Sequence, residues 1–236
     1  MGSANQPLNP RQDEPIALAI HRRERTIEPS VIEKFRELPV ANVSDCLPAD
    51  VRGLARLRPF HRSGRLAGPA LTVKVPFDDT LLVHAALDRG QPGDVLVVDA
   101  GGGRTIATMG EIMLSYARAK GFAGVVIFGA VRDSAYIASQ DFPVFAMGVT
   151  HRGPTKNGPG EINGAIVIDE MAVEPGDLIL GDEDGLVCVA HAKLEQVYAA
   201  ASNKLHAEEQ MLVAIREGRL DRSWLNDALQ GLGGRP

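Results

Sequence analysis

Two short apolar runs, Val95-Leu-Val-Val98 and Gly124-Val-Val-Ile-Phe128, bracket one helix-length segment, and this bracket constrains the chain more than any other stretch. Each run has the length and β-branching of a buried strand. Between them, Thr108-x-x-Glu111 carries a capping-box signature, helical spacing continues to Lys120, and Gly121 follows as a stop. A strand–helix–strand unit of this size is most simply a right-handed parallel crossover. The helix N-terminus at Thr108–Met113 and the turn Gly129–Asp133 would then both follow carboxyl ends of parallel strands. Open α/β sheets place ligands in the crevice at that edge.

The flanking sequence extends the same pattern. Residues 1–16 are rich in Pro, Asn and Gln and read as part of an arm covering residues 1–25. Ser30-Val-Ile-Glu33 predicts a capped helix that Pro39 stops, and residues 41–58 a short helix and loop. A strand ends at Val75 before Pro76, and a helix runs from Thr80 to Asp88. Beyond Asp133 come a helical turn or two, a strand at Phe142–Met147, and a loop at Thr150–Gly160 dense in turn formers. Such a loop is a functional lid or a connector. Further strands are expected at Ile166–Ile168, Leu178–Leu180 and Leu186–Val189, then a helix from Lys193 to about Glu217. Trp224 lies on a polar tail and is expected to anchor it to a surface of this chain or a neighbour. The division is thus an arm at 1–25, an α/β domain at 26–192, and a C-terminal helix and tail at 193–236 suited to subunit contacts. Pro-Gly-Asp occurs before two strands, at Pro92–Asp94 and Pro175–Asp177, and reads as one type II turn used twice.

Charge and composition exclude several classes. The formal net charge is −5, with no basic, aromatic-interleaved stripe for nucleic acid. Arg22, Arg23 and Arg25, and the arginines from Arg52 to Arg65, read as a solvated face or subunit contacts. No apolar run reaches the roughly 20 residues that a bilayer crossing needs, and the polar N-terminus lacks a signal-peptide core, so the expected location is cytoplasmic. The two cysteines, Cys46 and Cys188, have no C-x-x-C spacing and read as buried small apolar residues in a reducing compartment.

The sequence VVDAGGGRT looks like a nucleotide-binding turn. Thr105 stands where a third spaced glycine would be, however, and Phe128 where an acidic residue would hold a ribose. There is no G-x-S-x-G elbow and no Walker loop. The six histidines form no H-x-x-x-H pair. His84 falls on an apolar helix and reads as a satisfied core residue; His151 falls in the long loop.

Glu111 and the Arg132-Asp133 pair remain, with twenty residues between Glu111 and Arg132. A carboxylate in a glycine-rich crevice can ligate a hard divalent cation that keeps several waters. An adjacent arginine offers a planar fork to a carboxylate or developing oxyanion. The helix N-terminus near Gly110 presents backbone N–H groups to an anion. Together they suit a 2-oxo acid. The bland alternative is a capping box plus a turn ion pair.

The segment GEIMLSYARAKGFAGVVIFGAVRD closely resembles the core of the RraA-like family, named for regulator of ribonuclease activity A. The resemblance spans about residues 30–200, and its hallmark is an acidic residue, twenty residues, then Arg-Asp. It implies a swivelling β/β/α layered domain, here with a helical C-terminal extension, assembling as a homotrimer or a hexamer with the site at a subunit interface. The family includes metal-dependent class II pyruvate aldolases that cleave 4-hydroxy-4-methyl-2-oxoglutarate, with oxaloacetate decarboxylation alongside. The implied roles are a metal ligand at Asp133, for Mg²⁺ or Mn²⁺, and a pyruvyl-binding catalytic group at Arg132. Carboxylate-binding amides fall at Ile112 and Met113, beside Gly110, and Glu111 would hold metal-bound water. A neighbouring subunit's C-terminal helix would add an acidic residue, Glu208 or Glu209. Two positions depart from the aldolase pattern: Glu111 replaces Asp, and Phe128-Gly129 replaces Asp-Gly. The alternative implied by resemblance is a non-catalytic regulator that binds a ribonuclease or helicase partner; that regulator lacks the Asp of the pair, which Asp133 supplies here.

Overall fold

The computed structural model describes residues 18–48, 53 and 55–232. Residues 1–17 of the expected arm at 1–25, Arg52, and the last residues of the tail lie outside these.

The centre is a sheet in which β3 (Leu66–Lys74), β4 (Val95–Asp99), β6 (Gly124–Val131) and β7 (Val144–Val149) run parallel in that order. Val95 pairs with Gly124 and Asp99 with Phe128, so the two runs that bracket the central helix are adjacent strands. Their continuous apolar character follows from burial on both faces, since Val95 to Val98 and Val125 to Ile127 are fully buried. One face packs on α3 (Leu81–Arg89), α4 (Glu111–Ala119) and α5 (Ser134–Ser139) through Leu82, Leu87, Leu114 and Ile137. The other packs on the hairpin β9 (Ile166–Ile168)–β10 (Met171–Val173) and on β11 (Leu178–Asp182)–β12 (Gly185–Val189), through Ile166, Met171, Ile179 and Cys188. A third cluster lies outside β11 and β12, where α1 (Pro29–Arg36), α2 (Val40–Asp45) and the first half of α6 (Leu194–Arg216) contribute Phe35, Val43, Val197 and Ala201. The layers are therefore helix, parallel sheet, β-layer, helix. Each buried Val, Leu or Ile contributes about 1.5–3 kcal/mol relative to exposure.

β3 joins the layers. Its first residues, Leu66–Pro69, pair antiparallel with β11, and Ala70–Lys74 pair parallel with β4. At the sheet edges, β1 (Ala19–Ile20) pairs with β8 (Glu161–Ile162), and β2 (Arg58–Pro59) pairs with β7.

Several expectations are corrected. Both capping boxes fail. α1 starts with Pro29 in its first turn after Glu28, a position that suits a residue without an N–H, so Ser30 already lies inside the helix. Thr108 belongs instead to β5 (Ala107–Met109), which pairs with β6, and α4 begins after Gly110. β6 runs on to Val131, so the turn begins at Arg132 and not at Gly129. Cys46 is half-buried at the end of α2, whereas Cys188 is buried in β12 and its thiol is pushed up by burial. The tail carries α7 (Ser223–Gly231), on which Trp224 is 62% exposed within the single chain. Of these arginines Arg23 is largely buried against Asp94 at 2.6 Å, whereas Arg25 stays half exposed beside Glu174. Arg56 pairs with buried Asp169, and Arg62 with Asp141 on the surface. No described helix is long and apolar enough to cross a membrane.

Candidate active site

The chain leaves β6 at Val131 and turns through Arg132 into Asp133, which takes a left-handed backbone at φ 61 and ψ 42. Such a conformation costs of order 1 kcal/mol for a residue with a Cβ, and aspartate tolerates it better than most. It sends the Asp133 carboxylate back across the crevice, where Oδ2 accepts the backbone N–H of Glu111 at 2.8 Å. Arg132 is tied to the same place, its N–H donating to Met109 O at 3.0 Å. The two ends of the central stretch therefore meet by direct hydrogen bonds.

Gly110 makes the approach possible. A Cβ there would fall on the Asp133 carboxylate and 2.7 Å from Arg132 Cγ. The helical ladder of α4 begins with Leu114 N–H to Gly110 O, so the amides of Glu111, Ile112 and Met113 precede it. Asp133 takes the first of these, and Ile112 and Met113 offer the next two. The Ile112 side chain is 81% exposed, and Glu111 is exposed beside it. Arg132 and Asp133 are each about half exposed, with Arg132 Nε 3.7 Å from Asp133 Oδ2. That is a loose pairing, which leaves the guanidinium donors and the second Asp133 oxygen open to a ligand.

Glu111, Gly110, Ile112, Met113, Arg132 and Asp133 thus gather on one edge. Glu208 and Glu209 are elsewhere, on α6. Glu208 is engaged at both oxygens within its own chain, by Asn42 at 2.6 Å and Lys204 at 2.9 Å, and these bonds hold its carboxyl below the usual range. Glu209 is exposed, 3.8 Å from His206.

Among the described residues no three His, Cys, Asp or Glu side chains gather as a ready-made metal cage. The donors at the crevice are hard oxygens, with one Asp133 oxygen already fixed by an amide. That set fits a Mg²⁺- or Mn²⁺-like ion that takes one or two carboxylates and completes its shell with water and substrate oxygens. It does not fit a tetrahedral zinc cage.

Sequence reasoning missed Asp79. This carboxylate is 2% exposed between β3 and α3, and it accepts hydrogen bonds from Leu81 N, Thr155 Oγ1, Asn157 N and Gly158 N at 2.6–2.8 Å. Burial alone would raise its pKa, but these four donors outweigh it and hold the carboxyl below its ordinary value. Its neighbour Thr80 donates to Thr108 O at 3.1 Å and lies 3.9 Å from Met113 Sδ. The long loop, β5 and the first turn of α4 are therefore tied at one point. An Asp-Asp-Thr sequence before a helix is the signal available for this in the sequence, and it resembles an ordinary N-cap.

Two other polar groups depart from expectation. His84 is not satisfied: its Nε2 is buried without a partner, and burial, then the charge of Lys156, push its pKa down. Thr108 is buried with an unpartnered hydroxyl beneath the crevice. The glycine turn folds back on its own strand and the next, with Gly101 N–H on Asp99 Oδ1 of β4 and Gly102 N–H on Phe128 O of β6. Burial raises the Asp99 carboxyl. Those amides are spent within the chain, so the nucleotide-like sequence is a closed turn.

Comparison with known proteins bears on the family and the fold. The RraA-like family model, described as Aldolase/RraA, matches residues 40–188. A Halalkalibacterium halodurans protein, provisionally named a 4-hydroxy-4-methyl-2-oxoglutarate aldolase, is 36% identical over 186 residues, covering 79% of this chain and 89% of that protein. Among solved structures, an uncharacterized Pseudomonas syringae protein superposes with a TM-score of 0.73 at 26% identity, covering 82% of this chain and 95% of its own. The RNA-processing inhibitor RraA from Thermus thermophilis gives 0.59 at 32% identity, covering 65% of this chain and 93% of its own. The layered α/β architecture is the swivelling fold of these structures, with α6 and α7 added as a helical extension.

Proposed function

Because this chain belongs to the RraA-like family, we propose that it is a divalent-metal-dependent carbon–carbon lyase releasing pyruvate from 4-hydroxy-2-oxo diacids, with oxaloacetate decarboxylation alongside. One observation carries the reading: the Arg132-Asp133 turn is hydrogen-bonded to the start of α4, through Glu111 N–H and Asp133 Oδ2 at 2.8 Å. The bond brings the Arg132-Asp133 pair to the start of α4, where the Glu111, Ile112 and Met113 amides precede the helical ladder.

In this reading the substrate's C1 carboxylate sits on the Ile112 and Met113 amides, where the helix dipole favours an anion. Asp133 would hold the divalent cation and Glu111 a water beside it, and the cation would supply Lewis acidity at the 2-keto oxygen. Arg132 donates to the same oxygen. Glu111 orients the water that accepts the C4 hydroxyl proton. The C3–C4 bond then breaks, its electron pair passing to C3 while C4 becomes a carbonyl. Arg132 holds the resulting enolate as its charge develops, and protonation at C3 gives pyruvate. Oxaloacetate loses CO₂ through the same enolate.

The exposed Ile112, Leu81 and Phe77 beside the crevice suit a homotrimer or hexamer contact, with Glu209 reaching a neighbour's site. A cytoplasmic location fits this chemistry. The test is pyruvate release from oxaloacetate and from 4-hydroxy-4-methyl-2-oxoglutarate, with Mg²⁺ and with excess chelator. Release that stops on chelation and returns with Mg²⁺ supports the reading, and turnover unchanged in chelator contradicts it. The regulator reading draws on likeness to the Thermus RNA-processing inhibitor. Capture of a ribonuclease or helicase by a chain inactive on both substrates would favour it.

A further inference from the structure

Resting on that reading of the site, we propose that Arg152 is a specificity-determining residue that takes the second carboxylate of a 4-hydroxy-2-oxo diacid, with Asp79 as the residue that positions its loop.

The loop Thr150–Gly160 has no regular secondary structure, yet it is fixed at both ends. At its far end Asp79 gathers Thr155, Asn157 and Gly158, while Thr155 N–H donates to Asp78 O at 2.7 Å and Thr80 N–H to Thr155 O at 3.1 Å. At its near end Thr150 N–H donates to Val131 O at 3.0 Å, and Ala107 N–H to Arg152 O at 2.8 Å. Val131 leads directly into Arg132, and Ala107 opens the strand that leads into Gly110. The backbone of residue 152 is therefore held between the two ends of the crevice. Gly153 lies against the site itself, since a Cβ there would come within 3.1 Å of Arg132 Nη1.

Arg152 is exposed, and among the described residues its guanidinium forms no ion pair with a carboxylate. Arg23, Arg25, Arg56 and Arg62 each have one. The other cation of the loop, Lys156, acts on His84 of α3. Residue 152 adjoins Gly153, which lies against Arg132 Nη1, and a planar guanidinium carried from that backbone position suits bidentate capture of a carboxylate borne on C4, two carbons from the keto group. Asp79 makes the placement a built one: a buried carboxylate with four donors holds the loop in one conformation.

The experiment compares kcat/KM for 4-hydroxy-4-methyl-2-oxoglutarate with that for 4-hydroxy-2-oxopentanoate, in which hydrogen replaces the C4 carboxylate. Wild type should prefer the diacid. Arg152→Ala should lower the ratio of the two kcat/KM values by about 10- to 100-fold, mainly through KM of the diacid. Arg152→Lys should restore part of it, and Asp79→Asn should lower the ratio without adding to the loss in Arg152→Ala. An unchanged ratio in Arg152→Ala, with pyruvate still released, overturns this inference and leaves the lyase reading standing. No pyruvate from either substrate with wild type and Mg²⁺ overturns the lyase reading and this inference together.

Discussion

The aspartates at the two ends of the strands are used in opposite ways. Asp94, at the amino end of β4, and Asp177, at that of β11, are buried with both carboxylate oxygens engaged. Each closes a Pro-Gly-Asp turn, accepting the N–H of Gln91 or Glu174 at 2.8–3.0 Å, with Gly93 and Gly176 at φ +89 and +84. Each also meets an arginine of the 23–25 segment, Asp94 with Arg23 and Asp177 with Arg25. At the carboxyl ends, Asp133 and Arg132 are half exposed, loosely paired at 3.7 Å, and held in a strained turn. A buried carboxylate with both oxygens engaged contributes to the fold. One held in place with an oxygen to spare can bind something else. Asp79 stands between the two kinds, buried like the first and located beside the second.

Substitutions can break this contrast. The largest expected effect is Arg132→Ala, which should lower kcat for pyruvate release by about 10²–10³-fold, as loss of an oxyanion donor does. Its melting temperature should stay within about 2 °C of wild type. A large fall in melting temperature would make Arg132 a fold residue like Arg23. Asp94→Ala is the mirror experiment. It leaves Arg23, only 10% exposed, without its partner, and should cost about 3 kcal/mol in urea unfolding while activity per folded molecule is preserved. Gly110→Ala should sharpen the distinction, because a methyl there displaces Arg132 and Asp133. Activity should fall on the order of 10²-fold, with unfolding free energy nearly unchanged. The smallest effect concerns pH. The folded pKa of Asp79 is depressed, so its contribution to stability is full above its ordinary value of 3.8 and is lost as pH falls through the folded value. The protection factors of the Asn157 and Gly158 amides, measured against intrinsic exchange at each pH, should therefore stay high at neutral pH and fall only under acid. Loss of protection near neutral pH would contradict the assignment.

The central frame was legible because burial on both faces forces continuous β-branched runs, as in Val95–Val98 and Val125–Ile127. α3 and α6 were legible from helical spacing. Local signals failed where a distant strand overrode them. Thr108 has the chemistry of an N-cap, but pairing with β6 claims it for a strand, and Asp133, twenty-two residues from Glu111, bonds the first amide of α4. Asp79 was invisible for the same reason, its partners at 155–158 lying far along the chain. His84 reads as a core residue at helical spacing, which says nothing of whether its ring finds a partner. The candidate site was readable as a set of residue types, and resemblance supplied their roles; the geometry that joins them is tertiary.

The most direct test of the claim that Asp133 is held for ligation is Mn²⁺ binding by electron paramagnetic resonance, comparing wild type with Asp133→Ala and Asp94→Asn. The account predicts a single tight site in wild type and in Asp94→Asn. It predicts none in Asp133→Ala, although that variant melts with wild type. Mn²⁺ bound equally well by Asp133→Ala, or early melting of that variant, would contradict it.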